Sequence, residues 1–311
     1  MESILVSVVC NTYNQEAYIR DALHGFVMQK TTFPFEILVH DDASTDSTAE
    51  IIREYTEKYP DFIKPILQTE NQYSKKVSIS KEFQFSRAQG KYIAFCEGDD
   101  YWTDPFKLQK QVDALEQHPE IDICAHQVTT IRDGKKTGVV PVRSESTIFT
   151  VEEVIAGGGG FVATASLMFR RELFVHEYEF AKRMSIDYIW QVSGALRGGM
   201  LYLGDCMGVY RQQSQGSWTK RMGRNPEAHI KTWRNISDTL QVLNKETNCQ
   251  YAEVIEAEIA KLELNVLIRR GKWMQMLHGE GWKQLKLQPL RQRAIIVLQA
   301  VRRNVLNAVR R

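Results

Sequence analysis

The chain has 311 residues, enough for one large α/β domain and a smaller appendage. Apolar residues make up 43% and charged residues 25%, the balance of a soluble globular protein, and a net charge of only +2 gives no general nucleic-acid signal. The charge is uneven: from Trp282 onward there are eight Lys or Arg and no Asp or Glu, so the rest of the chain is net acidic. Met1-Glu2-Ser3 leads almost directly into a strand pattern, and no apolar run approaches the roughly 18 residues of a spanning helix, so neither a signal peptide nor a membrane span is expected. The five cysteines (Cys10, Cys96, Cys124, Cys206 and Cys249) are odd in number, lack a C-x-x-C pair and sit mostly in apolar runs. They read as buried free thiols of a reducing cytosol rather than as disulfides or a zinc site.

Ile4 to Cys10 is a nearly continuous apolar strand, as in a sheet covered on both faces. It ends in the polar turn Asn11-Thr12-Tyr13-Asn14-Gln15-Glu16, and Ile19, Ala22, Leu23, Phe26 and Val27 then mark a helix. Phe35 to His40 is a second strand, ending in Asp41-Asp42-Ala43-Ser44-Thr45-Asp46, where the last three residues suit the start of a second helix. This βαβα opening predicts an α/β fold with an open, mostly parallel sheet flanked by helices. Ile63 to Leu67 reads as a third, edge-like strand, and residues 79–89 as helical. Tyr92 to Cys96 has the composition of a central strand and stops in Glu97-Gly98-Asp99-Asp100-Tyr101-Trp102. Thr103-Asp104-Pro105 starts the next helix, with Leu108, Val112 and Leu115 on its apolar face. Ile121 to His126 is a strand, Arg132-Asp133-Gly134-Lys135 a hairpin turn, and Gly157 to Gly160 a loop near a substrate. Ala165 to Phe169 resembles a strand, Asp187 opens a helix, and residues 201–203 and 206–210 are two short strands. Near residue 220 the character changes. Helices are expected from Asn225-Pro226, over about 251–270, and from about 290 to the end, so the chain divides into 1–220 and a helical region 221–311.

The chemistry gathers at strand ends, where open α/β sheets bind ligands. Two adjacent carboxylates, Asp99 and Asp100, would repel a nucleotide diphosphate by themselves. Holding Mg²⁺ or Mn²⁺ they attract it, because the hard cation bridges carboxylate and phosphate oxygens and stabilises the departing diphosphate. Asp41 and Asp42 lie at another strand end, where a carboxylate can accept the N3–H of a uracil or thymine ring, and Tyr13 is placed to stack on or border the same base.

With these stretches in view, the chain resembles the family 2 glycosyltransferases. Val6-Ser7-Val8-Val9 with Thr12-Tyr13-Asn14-Gln15-Glu16 resembles their opening. Asp41 to Asp46 resembles their Asp-Asp-Gly-Ser-Thr-Asp turn, and Glu97 to Pro105 followed by Lys107-Leu108-Gln109 the metal motif of a bacterial branch. The resemblance covers about residues 4–218 and implies a Rossmann-like GT-A fold and sugar transfer from a nucleotide sugar with inversion. It implies that Thr12, Tyr13 and Glu16 border the nucleotide, that Asp42 meets the base, that Asp99 lies near the ribose or donor sugar, and that Asp100 holds the metal. Asp187 matches the base that takes the acceptor's proton; Ile186 stands where the family often has a Glu. Tyr210 to Trp218 resembles a segment that closes over the diphosphate, with Gln213 where His is common; Arg211 either supplies charge or packs, and Trp218 either meets a sugar face or packs. Glu97, Trp102 and Thr164 fall in the donor or acceptor region, Thr164 either as a hydroxyl contact or as strand packing.

On a helical wheel, Leu290, Ala294, Val297, Leu298, Val301, Val305 and Ala308 form one stripe, with Arg291, Arg293, Arg302, Arg303 and Arg310 off it. Such a helix either lies on an anionic membrane surface or packs on the catalytic domain with a solvated basic face. The expectation is therefore a cytoplasmic glycosyltransferase, peripheral at the inner face of the cell membrane where 290–311 meets lipid. Its donor would be a nucleotide sugar, UDP-linked ahead of dTDP or GDP, and its acceptor a surface glycan or lipid-linked glycan. The rival readings are a sugar-nucleotide pyrophosphorylase, which would favour an N-terminal Gly-rich, Lys-containing loop, and a non-catalytic glycan-binding scaffold.

Overall fold

A computed structural model describes residues 3–309, with side chains as far as Arg302. Ten strands form one sheet: β1 (Val6–Thr12), β2 (Phe35–Asp41), β3 (Ile63–Leu67), β4 (Tyr92–Phe95), β5 (Tyr101–Trp102), β6 (Ile123–Arg132), β7 (Lys135–Val140), β8 (Thr147–Phe149), β9 (Met168–Arg170) and β10 (Met200–Arg211). Their order is β3-β2-β1-β4-β9-β6-β10-β5, with β7 added on β6 and β8 on β10. The half from β3 to β4 is parallel, as the βαβα pattern requires. Beyond β4 the sheet is mixed, because β9 enters antiparallel between β4 and β6, while β6 and β10 run parallel to each other. Strands β1, β2 and β4 read as apolar runs because both faces are covered: almost every residue in them is buried. Val8, Ile37 and Ala94 from the sheet pack with Ile19, Leu23 and Phe26 of helix α1 (Ile19–Val27) and Ile52 of α2 (Thr48–Lys58). Helix α3 (Lys107–Gln117) adds Leu108, Val112 and Leu115 to the same core.

Several elements differ from the expectation. Residues 79–89 form a π-helical turn, Ser80–Gln84, and a 3-10 turn, Phe85–Arg87, instead of a regular helix. The fully buried Gln84 amide draws the backbone in by donating to the carbonyls of Cys10 and Leu38. Gly157 ends helix α4 (Val151–Gly157) and Gly158–Gly160 form a 3-10 turn. The two short strands expected near 201–210 are one strand, β10, interrupted by a bulge around Cys206. That bulge turns Cys206 outward, and Cys249 also lies at the surface. Only Cys10, Cys96 and Cys124 are buried thiols.

The remaining helices are α5 (Glu172–Val175), α6 (Glu179–Lys182), α7 (Asp187–Ala195), α8 (Trp218–Arg224), α9 (Pro226–Glu246), α10 (Ala252–Arg269), α11 (Gly279–Lys286) and α12 (Leu290–Val309). The chain forms two compact units. One holds the sheet and ends at Lys220; the other begins at Arg221 and also takes in Tyr178–Met184. In the second, Asn225 Oδ1 caps α9 by accepting from the Ala228 amide, and Leu264, Ile268, Met276, Leu285, Ile296 and Ala300 form a core of their own. Of the apolar stripe predicted in α12, Leu290, Leu298 and Val301 are exposed, and Val297 packs against that core. Ile296 and Ala300, off the stripe, are what the helix buries. The side chains of Arg303, Val305 and Ala308, and all of Arg310, lie outside the described residues.

Candidate active site

Strands β1 and β4 are parallel neighbours, but β2 and the chain that follows it lie on the far side of β1, so the sheet order reverses between them. Side chains at their C-terminal ends therefore face the crevice where doubly wound folds bind ligands. The turn after β1 and the acidic turn after β4 meet there. The Gly98 amide donates to the Asn11 carbonyl at 3.1 Å. A Cβ on Gly98 would fall 2.5 Å from Gln15 Oε1 and 2.7 Å from Thr12 Oγ1, so only glycine lets the two turns close. Thr12 Oγ1 donates to Gln15 Oε1 at 2.8 Å, and the Gln15 side chain hydrogen-bonds Asp99.

Asp99 and Asp100 are both buried, Asp100 to 1% exposure. Burial raises the pKa of each carboxyl, and for Asp100 the neighbouring Asp99 charge raises it further. The end of β10 reaches across to both. The Arg211 amide donates to Asp100 Oδ1 at 2.7 Å, Arg211 Nη1 to the Asp99 carbonyl at 2.8 Å, and Ser214 Oγ to Asp99 Oδ2. The Arg211 guanidinium also pairs with Asp21 and lies 4.4 Å from the Tyr101 ring centroid and 5.2 Å from that of Tyr18. It is thus engaged in holding the acidic turn rather than projecting alone toward a phosphate. Glu97 is exposed beside the pair; burial raises the pKa of Tyr210, and the charges of Asp100, Glu97 and Asp99 raise it further.

At the end of β2, Asp41 accepts from the amide and hydroxyl of Ser44 and so shapes its own turn. Asp42 faces the other way. Its Oδ1 accepts the Gln72 amide at 2.7 Å and its Oδ2 the Tyr73 amide at 3.0 Å, while its own amide donates to the Thr12 carbonyl at 3.0 Å. Each carboxylate oxygen keeps one further lone pair. Glu16 is exposed and tied to the start of α2, accepting from the Ser47 amide at 2.9 Å. Half-buried Tyr13 lies under the segment after β10: a Cβ on Gly216 would sit 3.6 Å from its carbonyl. In that segment Gln213 is exposed in the left-handed region at φ 60°, and Trp218 is 42% exposed at the start of α8.

Asp187 is the first residue of α7. Its Oδ1 accepts the Tyr188 amide and its Oδ2 the Thr164 hydroxyl, each at 2.8 Å. Burial raises its pKa, and those two hydrogen bonds oppose the rise. Trp102 does not reach the crevice. It is 1% exposed, with its indole N–H donating to the Ala165 carbonyl at 2.8 Å, so it has no surface to offer a sugar. Gln15, Asp21, Ser214 and Tyr210 are part of the arrangement although no role was expected for them. Gln15 lies inside the Thr12–Glu16 turn, and Tyr210 and Ser214 inside the segment 210–218, so their neighbourhood was marked in the sequence; Asp21 carries no signal beyond an acid in a helix's first turn.

Among the described residues no cluster of three or more His, Cys, Asp or Glu forms a ready-made metal cage. The donor set at Asp99 and Asp100 is nevertheless hard oxygen only, crowded with negative charge, and suits Mg²⁺ or Mn²⁺ completed by phosphate oxygens and water. No helix of the described residues is long and apolar enough to cross a membrane.

A family model described as Glycosyl transferase family 2 matches residues 7–176. An uncharacterised protein of Mycobacterium tuberculosis is 42% identical over 216 residues, covering 68% of this chain and 60% of the relative. The chain thus spans about 60% of the length of the curated relatives it first matches. The UDP-Glc:alpha-D-GlcNAc-diphosphoundecaprenol beta-1,3-glucosyltransferase WfaP of Escherichia coli is 30% identical over 115 residues, 36% of this chain and 41% of WfaP. Among solved structures, S. aureus TarS 1–349 in complex with UDP-GlcNAc superposes with a TM-score of 0.63 at 17% identity, covering 98% of this chain and 89% of that one.

Proposed function

The chain belongs to glycosyl transferase family 2 and has the GT-A fold, and from that premise we propose that it moves a sugar from a UDP-linked donor to a hydroxyl of a bacterial surface glycan, with inversion. The observation that carries this reading is the pair of buried carboxylates, Asp99 and Asp100, at the point where the sheet order reverses. Thr12, Tyr13 and Asp42 border the nucleotide, with Glu16 holding the turn that presents them. Asp99 stands at the ribose or donor sugar, and Asp100, with Asp99 beside it, would hold Mg²⁺ or Mn²⁺. That ion, when bound, supplies positive charge for the departing diphosphate. Glu97, Gln213 and Trp218 line the open side, where donor and acceptor enter.

Asp187 is the base. The acceptor oxygen attacks the anomeric carbon from the face opposite the diphosphate, its proton passes to Asp187, and the bond to the diphosphate oxygen breaks with its electron pair on the leaving group. A carboxyl whose pKa is raised by burial is a better proton acceptor than an exposed one. The glycan class follows WfaP, whose name specifies UDP-glucose and a diphosphoundecaprenol-linked acceptor. The exposed stripe of Leu290, Leu298 and Val301 beside Arg291 and Arg302 supports contact of α12 with an anionic membrane, where a lipid-linked acceptor would lie, at the cytoplasmic face.

Titration with UDP, with and without Mn²⁺, tests the reading. We expect Mn²⁺ to tighten UDP binding in the parent chain and to have no effect in Asp100→Ala. Metal-independent binding, the same in both proteins, would overturn the metal assignment. UDP-glucose and UDP-GlcNAc hydrolysis should be measurable in the parent and lost in Asp187→Asn; full activity in that variant would remove the base assignment.

A further inference from the structure

Trp102 lies two residues beyond Asp100 and points into the protein. Its ring is fixed from several sides. Phe26 meets it edge-on at 4.9 Å between centroids, and the buried Lys107 Nζ sits 3.8 Å from its centroid. Helix α1 closes on its backbone at Gly25, where a Cβ would be 2.9 Å from the Trp102 carbonyl oxygen. A ring held this way can send its N–H in one direction, and it donates to the Ala165 carbonyl at 2.8 Å.

The next carbonyl along is also held. Gln111, fully buried on α3, donates from Nε2 to the Ser166 carbonyl at 2.9 Å and to the Cys124 carbonyl at 3.3 Å. Two side chains from different elements thus grip consecutive carbonyls of the short 3-10 turn Thr164–Ser166. The residue that opens this turn, Thr164, donates its hydroxyl to Asp187 Oδ2 at 2.8 Å. The segment leading into the turn contains Gly158, Gly159 and Gly160, which have no side chains with which to anchor it.

We infer that Trp102 and Gln111 are positioning residues: by holding the carbonyls of Ala165 and Ser166 they fix the turn that aims the Thr164 hydroxyl at Asp187. Through Trp102, the strand that continues the acidic turn and the start of α7 share one frame, so the leaving-group side and the proton-accepting side are set together. The functional meaning of this frame rests on the reading of Asp187 as the base. What acts on the Asp187 carboxyl is burial, the Thr164 hydroxyl, and the amides of Tyr188 and Asp187 itself. A hydrogen bond to the ionised form favours it, so loss of the Thr164 contact raises the pKa.

The test is a ¹³C NMR titration of the full chain labelled with [¹³C]aspartate, the Asp187 signal being identified by its loss in Asp187→Asn. Thr164→Val is expected to raise the Asp187 pKa by about one unit, the size of a lost hydrogen bond to a carboxylate. Trp102→Phe keeps the ring and removes the N–H, and should move the pKa the same way. Adding it to Thr164→Val should produce no further shift, because both act through one contact. Gln111→Met should repeat the result and decides the matter where Trp102→Phe does not fold. A titration of Asp187 in Trp102→Phe and Gln111→Met that matches the parent, or shifts that add to that of Thr164→Val, would overturn the inference. Hydrolysis of UDP-sugars by Asp187→Asn separates this from the base assignment: full activity there removes the base and leaves the frame, whereas parent-like titrations beside an inactive Asp187→Asn remove the frame and leave the base.

Discussion

The backbone amide of Arg211 donates to Asp100 Oδ1 at 2.7 Å although 111 residues separate them. The same residue's guanidinium bridges from the Asp99 carbonyl to Asp21 on α1. One residue at the end of β10 therefore holds the acidic turn by its main chain and its side chain. Asp21 is 55% exposed, which limits the worth of its ion pair. We predict that Asp21→Ala weakens Mn²⁺-supported UDP binding by about threefold, measured by calorimetry. Unchanged affinity would mean that the main-chain contact of Arg211 suffices.

Asp100 and Asp99 crowd two carboxylates into a buried site, and their folded pKa values lie above the ordinary 3.8. A raised carboxyl pKa means the ionised form is disfavoured by folding, so the stability lost at neutral pH returns as pH falls through the folded pKa toward 3.8. Asp100→Asn is expected to melt a few degrees above the parent at pH 7 without metal, a gain of about 1–2 kcal/mol. The gap should close near pH 4, and Mn²⁺ should no longer stabilise the variant. A variant less stable than the parent at pH 7 would show that Asp100 is stabilised by contacts that outweigh its burial.

Lys107 is fully buried, and burial lowers its pKa from 10.5 to about 7. A depressed amine pKa means the charged form is disfavoured by folding. Its stability contribution is complete only above 10.5 and is lost as pH falls through about 7. Lys107→Met fills the same space without charge but forfeits the cation on the Trp102 ring. Denaturant unfolding should find it more stable than the parent at pH 6 by about 2 kcal/mol, with the advantage shrinking toward pH 10. An advantage constant across that range would place the effect in packing instead of charge.

Removing the proposed base tests the chemistry apart from binding. Asp187→Asn is expected to lower sugar transfer or donor hydrolysis by about 10²–10⁴-fold, with UDP affinity unchanged because Asp187 lies at the Thr164 turn and not at the acidic one. A parallel loss of UDP affinity would show that the variant disturbs the whole site.

The exposed residues Leu290 and Leu298 of α12 lie on one face, whereas Ile296 and Ala300 are the ones buried. Changing Leu290 and Leu298 to Glu should abolish sedimentation with vesicles containing anionic lipid and leave the helical unit folded by circular dichroism. Vesicle binding that survives both changes would remove the membrane reading.

The sites at strand ends were legible in the chain itself. Val6–Cys10, Phe35–His40 and Tyr92–Phe95 are apolar runs that stop at polar turns, and a run of that kind must be a covered strand whose turn sits at the sheet edge. Thr12, Asp42, Asp99 and Asp100 are carried to that edge by local pattern alone. The long-range partners were not legible. Nothing near Asp21 announces Arg211, and Ser214 meets Asp99 across 115 residues only because β10 pairs with β6 through a bulge and returns beside β5. Trp102 shows the limit most directly. Local order placed it beside the acidic turn and hence beside a ligand, but strands alternate their side chains between faces, and the two-residue strand β5 is too short to show a period. Which way it pointed was decided by the packing of Phe26, Gly25 and Lys107 around it, contacts that exist only once the sheet has assembled.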